Sequence, residues 1–89
     1  MNRSEIYDIL HDKLRLYSVI HNGRKYLKFH PDKYWDWCML KINNSFIKDF
    51  TEVYVCTNEL VIRGLYDKLQ INIPYKDINV FEVYGDEED

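Results

Sequence analysis

Cysteine, glycine and proline are all scarce in this chain of 89 residues, at two, three and two, and each scarcity removes a class of protein. Cys38 and Cys56 are too few for a disulfide framework and have no Cys-x-x-Cys spacing for zinc. In their apolar and aromatic company they read as buried free thiols. Three glycines leave no phosphate-cradling loop and no Gly-x-Ser-x-Gly elbow, and no Ser or Cys stands in a recognisable spacing from a histidine. A non-catalytic role is therefore expected. His11, His21 and His30 lack an i,i+4 or His-x-His partner, so no metal and no cofactor is assigned. There is no secretory core segment and no apolar run long enough to span a bilayer, which makes the cytoplasm the expected location and a membrane an unexpected partner.

What the chain has is apolar and aromatic mass. Hydrophobic residues make up 46%, with eight Tyr, four Phe and two Trp, and charged residues 30%, which argues for a globular chain over a disordered one. The length suits one compact domain, taken as residues 1–85, followed by the acidic tail 86–89. The net charge of −3 hides a division. Residues 1–50 carry nine basic side chains against six acidic ones, whereas residues 51–89 carry three against nine. One face is expected to be basic and another acidic.

Ser4 can cap a short helix running to about Asp12, with Glu5 and Asp8 near its positive end and a stripe of Ile6, Ile9 and Leu10. From Lys13 the period becomes two, in LRLYSVI and KYLKFH, and between them lies Asn22-Gly23. That pair is the strongest short-range hairpin signal, since a type I′ turn needs positive φ at both central residues. The implied register pairs His21 with Arg24, Val19 with Tyr26, Tyr17 with Lys28 and Arg15 with His30. One face then carries Leu14, Leu16, Ser18, Ile20, Leu27 and Phe29. After Pro31-Asp32, which could equally open a helix, the alternation of Trp35, Trp37 and Met39 favours a strand over 34–42. Asn43-Asn44-Ser45 reads as a polar turn, and Phe46 and Phe50, four apart, as one helical turn.

Residues 52–84 then read as four strands in succession, a β-meander. Val53/Val55, Leu60/Ile62 and Leu69/Ile71/Ile73 alternate with polar or aromatic neighbours, with Thr57-Asn58 and Tyr66-Asp67 as turns and Pro74 as a stop. The predicted class is α+β and mostly antiparallel: a short N-terminal helix, a hairpin and a four-strand meander. The order Thr57-Asn58, Ile62-Arg63-Gly64, Ile73-Pro74, Asp77-Ile78 and Val80 to Val83 resembles the repeating core of bacterial PH-like and GRAM-type domains. That resemblance implies a PH-like half-barrel, although Glu59 stands where such domains often carry a basic residue.

Two surfaces are candidates for binding. On the polar face of the first hairpin, Arg15, Arg24 and Lys28 interleave with Tyr17 and Tyr26, an arrangement able to contact phosphates and stack on bases. The alternative is a second buried layer with the cations at its rim. In the C-terminal half, Asp77, Glu82 and the tail residues Asp86, Glu87, Glu88 and Asp89 form an acidic arm, with Tyr75 and Tyr84 as aromatic anchors. The function expected first is a small protein-binding module, an inhibitor or adaptor that occupies the surface of a partner with basic character. A phage-type inhibitor of a nucleic-acid-processing enzyme, acting through the acidic half, is one alternative, and nucleic-acid binding by the hairpin is the other. The hairpin is directly testable. Replacing Asn22-Gly23 by Val-Val should cost about 1–3 kcal/mol in urea unfolding, because β-branched residues resist positive φ; an unchanged midpoint would mean there is no turn here.

Overall fold

The computed structural model describes residues 1–33, 35–64 and 69–86. Tyr34, the Tyr66-Asp67 turn and the tail residues Glu87, Glu88 and Asp89 lie outside the described residues. One helix, α1 (Arg3–Lys13), is followed by β1 (Arg15–His21), β2 (Arg24–His30), β3 (Cys38–Ile42), β4 (Ser45–Lys48), β5 (Phe50–Val55), β6 (Glu59–Gly64) and β7 (Gln70–Pro74). A 3₁₀ turn (Tyr75–Asp77) then leads to β8 (Phe81–Gly85). Every strand pairing is antiparallel, so the expected α+β class is the one observed.

The hairpin has the register read from Asn22-Gly23, from His21 opposite Arg24 down to Arg15 opposite His30. Asn22 and Gly23 both take positive φ, 52° and 76°, as a primed turn requires. Helix α1 starts two residues earlier than its sequence cue. Asn2, not Ser4, is the N-cap: its side chain accepts from the Glu5 N–H while Glu5 accepts from the Asn2 N–H, a reciprocal capping box. Ser4 lies within the first turn, where its hydroxyl has no cap position to fill.

The strands form two sheets, β1-β2-β5-β6-β7 and β4-β3-β8, which are not closed into a barrel. Between the sheets and beneath α1 lies one core, in which Ile6, Leu10, Phe29, Leu40, Val53, Leu60, Ile62 and Ile78 are fully enclosed. Each such side chain contributes about 1.5–3 kcal/mol by leaving water, and α1, too short to persist alone, is held by the two it supplies.

Three readings change in the structure. The first concerns 46–50, expected as a helical turn. The left-handed φ of 56° at Asn43 folds the chain back, so Ser45–Lys48 pairs with β3 instead. Asp49, at φ 59°, then turns a corner into the other sheet and interrupts the alternation of sides. Ile47 and Phe50 both reach the core as a result, while Phe46 stays outside. The second concerns the strand expected over 34–42, which begins only at Cys38. The Trp35 N–H is taken by Asp32 O in a turn, and the Trp35 ring lies against Gly85 so closely that there is no room for a Cβ there. The third concerns the last strand of the meander. β5, β6 and β7 are consecutive neighbours, but β8 leaves them and pairs with β3.

Asn43 makes that crossing possible. Its Nδ2 donates to Asp77 O at 2.9 Å, its Oδ1 accepts from the N–H groups of Asn79 (2.8 Å) and Val80 (3.2 Å), and its own N–H donates to Val80 O at 2.9 Å. Asn43→Gly keeps the positive φ and loses the amide, whereas Asn43→Ala loses both. Urea unfolding should rank wild type above Gly above Ala, with the Ala variant lower by about 2–4 kcal/mol. Equal stability of Ala and wild type would sink this role.

Candidate functional site

The polar face of the hairpin belongs to the outer surface of the five-stranded sheet. Tyr17 is 47% exposed and Tyr26 half-buried, so this is an open face and not a second core layer. Its cations are largely matched. Arg15 lies 3.5 Å from Asp32, and Lys28 lies 3.5 Å from Glu52 on the neighbouring β5; Arg24 is exposed beside the turn. The His30 ring meets Tyr17 edge-on at 5.0 Å. Burial and then the charge of Lys28 lower the His30 pKa, against the pull of Glu52. Beside the hairpin, Val19, Tyr26, Tyr54, Cys56, Val61 and Arg63 help to line a shallow groove of about 390 Å³.

The C-terminal candidates separate. Tyr75, read as an aromatic anchor, is buried, 7% exposed. Its hydroxyl donates to Cys56 O at 2.6 Å, a carbonyl that also accepts from Arg3 Nε at 3.1 Å. A ring so enclosed ties the 3₁₀ turn to the β5–β6 connection and offers no surface. Asp77 is exposed on that turn, where its carbonyl is bonded by Asn43. Glu82 and Tyr84 sit together on the outer face of β8, with the Tyr84 hydroxyl donating to Glu82 Oε2; that bond raises the Tyr84 pKa. Asp86 continues the strand, its N–H donating to Trp37 O at 3.3 Å.

Around Glu82 and Tyr84 the structure assembles residues that the sequence reading had not placed in any site. Register puts Met39 between Lys48 and Tyr84, and Lys41 between Phe46 and Glu82. Directly opposed residues on one face of antiparallel strands stand about 4.5–5.5 Å apart at Cβ, so these side chains form two adjacent rows. Trp37, two residues before Met39, extends the same side. Trp37 is 52% exposed, Phe46 57% and Tyr84 40%, and Lys41 Nζ lies 5.8 Å from the Phe46 ring centre. A signal for this patch exists in the sequence: Trp37-Cys38-Met39-Leu40 is apolar at both parities, and a strand in a two-layer fold needs only one apolar side.

Among the described residues no group of three or more His, Cys, Asp or Glu could hold a metal, and no helix is long and apolar enough to cross a membrane. The cysteines, expected to be buried, are half-buried and free. Burial pushes the Cys38 thiol up to about 11 and raises that of Cys56, which suppresses the reactive thiolate. No family model matches the chain, and no curated protein or solved structure shows significant similarity to it.

The thiols and Tyr75 set an alkaline limit on stability. Burial raises the Cys38 thiol to about 11 and the Tyr75 phenol to about 12, so the folded state favours their protonated forms. In the unfolded chain these groups lose protons first, from a thiol value of 9.0. Stability should hold below that value and fall as pH rises through it. The urea midpoint should be lower at about pH 10.5 than at about pH 8; an equal or higher midpoint would contradict this assignment.

Proposed function

We propose that this chain is a small, non-catalytic protein-binding module, and that it engages its partner through the outer face of β4-β3-β8. The observation that carries this reading is the exposure of Trp37, Phe46 and Tyr84 together on that face. Large aromatics are the residues most often found as interface anchors, and contiguous apolar patches of this kind mark interaction sites. The partner is a protein with cationic groups bordering an apolar surface. Glu82 and Asp86 flank the patch along β8, and the sequence continues as Glu87-Glu88-Asp89, so a basic rim would complement that side and speed association. Occupying a surface in this way suits an inhibitor or adaptor acting in the cytoplasm. Nucleic-acid binding by the hairpin is less favoured, because the carboxylates of Asp32 and Glu52 already face two of the three cations it requires.

The test is affinity capture from native-host lysate with wild type, a Trp37→Ala/Phe46→Ala/Tyr84→Ala variant and an Arg15→Ala/Arg24→Ala/Lys28→Ala variant, each verified as folded. A specific protein should be retained by wild type and by the hairpin variant and lost from the patch variant. With that protein in hand, surface plasmon resonance should give a loss of about 2 kcal/mol or more for Trp37→Ala, and an on-rate that falls with added salt. Retention by the patch variant, or loss only from the hairpin variant, would overturn the proposal.

A further inference from the structure

The five-stranded sheet begins with a strand whose outer edge pairs with no other strand among the described residues. β1 pairs only with β2, and β2 pairs with β5 only at Lys28–Tyr54 and Phe29–Val53, so the turn end of the hairpin overhangs the rest of the sheet. In a hairpin closed by a two-residue turn the flanking pair, here His21 and Arg24, is hydrogen-bonded, and bonding alternates from there. The odd-numbered residues of β1 therefore bond β2. Leu16, Ser18 and Ile20 direct their N–H and C=O groups outward.

Exposed edges are normally blunted by shortness, proline, inward-pointing charge or a covering element. The other three edges of this fold have such features. β7 ends at Pro74, β4 has four residues and ends at Lys48, and α1 packs against β8. β1 has seven residues, and from Leu16 to Ile20 it carries no charge and no proline. Ile20, 76% exposed, is the most exposed large hydrophobic residue of the described chain.

We propose that β1 is a self-association edge: two copies pair β1 against β1, antiparallel about a two-fold axis at Ser18, joining their five-stranded sheets into one. Ser18 then faces Ser18 of the second copy, and Leu16 and Ile20 face Ile20 and Leu16. All three outward-directed residues fall in hydrogen-bonded pairs, giving about six N–H···O bonds across the axis. The side chains match on both faces. Leu16 packs with Ile20 on the core side, and Tyr17 with Val19 on the outer side, an aromatic against a β-branched residue. Charge lies only at the ends, where His21 of one copy meets Arg15 of the other, already neutralised by Asp32 at 3.5 Å. This self-matching favours a second copy over an unrelated peptide. Such a dimer would also carry two copies of the aromatic face, making it bivalent.

The experiment is sedimentation velocity on the full chain from about 1 to about 200 µM, where weak homodimers associate. Wild type should shift reversibly from monomer to dimer with concentration. Ser18→Pro removes an outward N–H without touching a bond to β2, and Ile20→Lys places a charge where apolar contact is needed. Each should raise the dissociation constant by roughly tenfold or more, with circular dichroism confirming the fold. Oxidation should cross-link a Ser18→Cys chain into a dimer and leave a Lys25→Cys chain uncrossed, because only position 18 faces itself. A wild type that stays monomeric throughout, or a dimer indifferent to both Ile20→Lys and Ser18→Pro, would overturn the proposal.

Discussion

The Asn43 amide bonds backbone groups of Asp77, Asn79 and Val80 at 2.8–3.2 Å, and the placement of β8 beside β3 depends on it. β8 reaches β3 only after the chain has built β5, β6 and β7 in the other sheet, so closing this contact orders a long loop. A pairing of that kind must also be set in register, because a slip of one residue would send Phe81 and Val83 outward and Glu82 and Tyr84 into the core. Bonding backbone groups of Asp77, Asn79 and Val80, just before β8, excludes the slip. The left-handed φ of Asn43 and its side chain thus act together: one turns β3 into β4, and the other docks β8.

Both sheets have an inner face that shares the core and an outer face that does not, and the two outer faces differ in a way that bears on function. On the five-stranded sheet the outer charges are matched locally, Lys28 with Glu52 and Arg15 with Asp32, around an exposed Tyr17 and a half-buried Tyr26. On the three-stranded sheet Trp37, Phe46 and Tyr84 project into solvent, with lysines toward β4 and acids along β8. A single sheet face thus changes sign from Lys48 and Lys41 on β4 and β3 to Glu82 on β8, with apolar side chains set among the charges. That pattern both orients a charged partner and provides apolar area for it to cover.

Local chemistry was read well from the residues. Asn22-Gly23 can adopt its conformation because of its own backbone preferences, so the type I′ turn and the register it dictates were legible without any knowledge of the rest. The alternation at 53–55, 60–62 and 71–73 was legible for the same reason, as was the Ile6/Leu10 stripe of the helix. The strand 45–48 was not. Phe46 and Phe50 have helical spacing, and only the left-handed corner at Asp49, imposed by the change of sheet, brings Ile47 and Phe50 to the same side. Tyr75 was misplaced as a surface anchor because a tyrosine after a proline carries no mark of the Cys56 carbonyl that receives its hydroxyl.

By itself, then, the sequence determined the α+β class, the hairpin with its pairing, and three strands of the meander, all of which follow from backbone preferences and side-chain periods within a few residues. Tertiary structure alone decided that β8 joins β3, that Trp35 lies against Gly85 while Trp37 faces solvent, and that Trp37, Phe46 and Tyr84 share a surface. The physical reason is that Trp37-Cys38-Met39-Leu40 is apolar at both parities. Its local pattern is satisfied equally with either side inward, and the choice falls to the non-local pairing with β8 and the packing of Trp35.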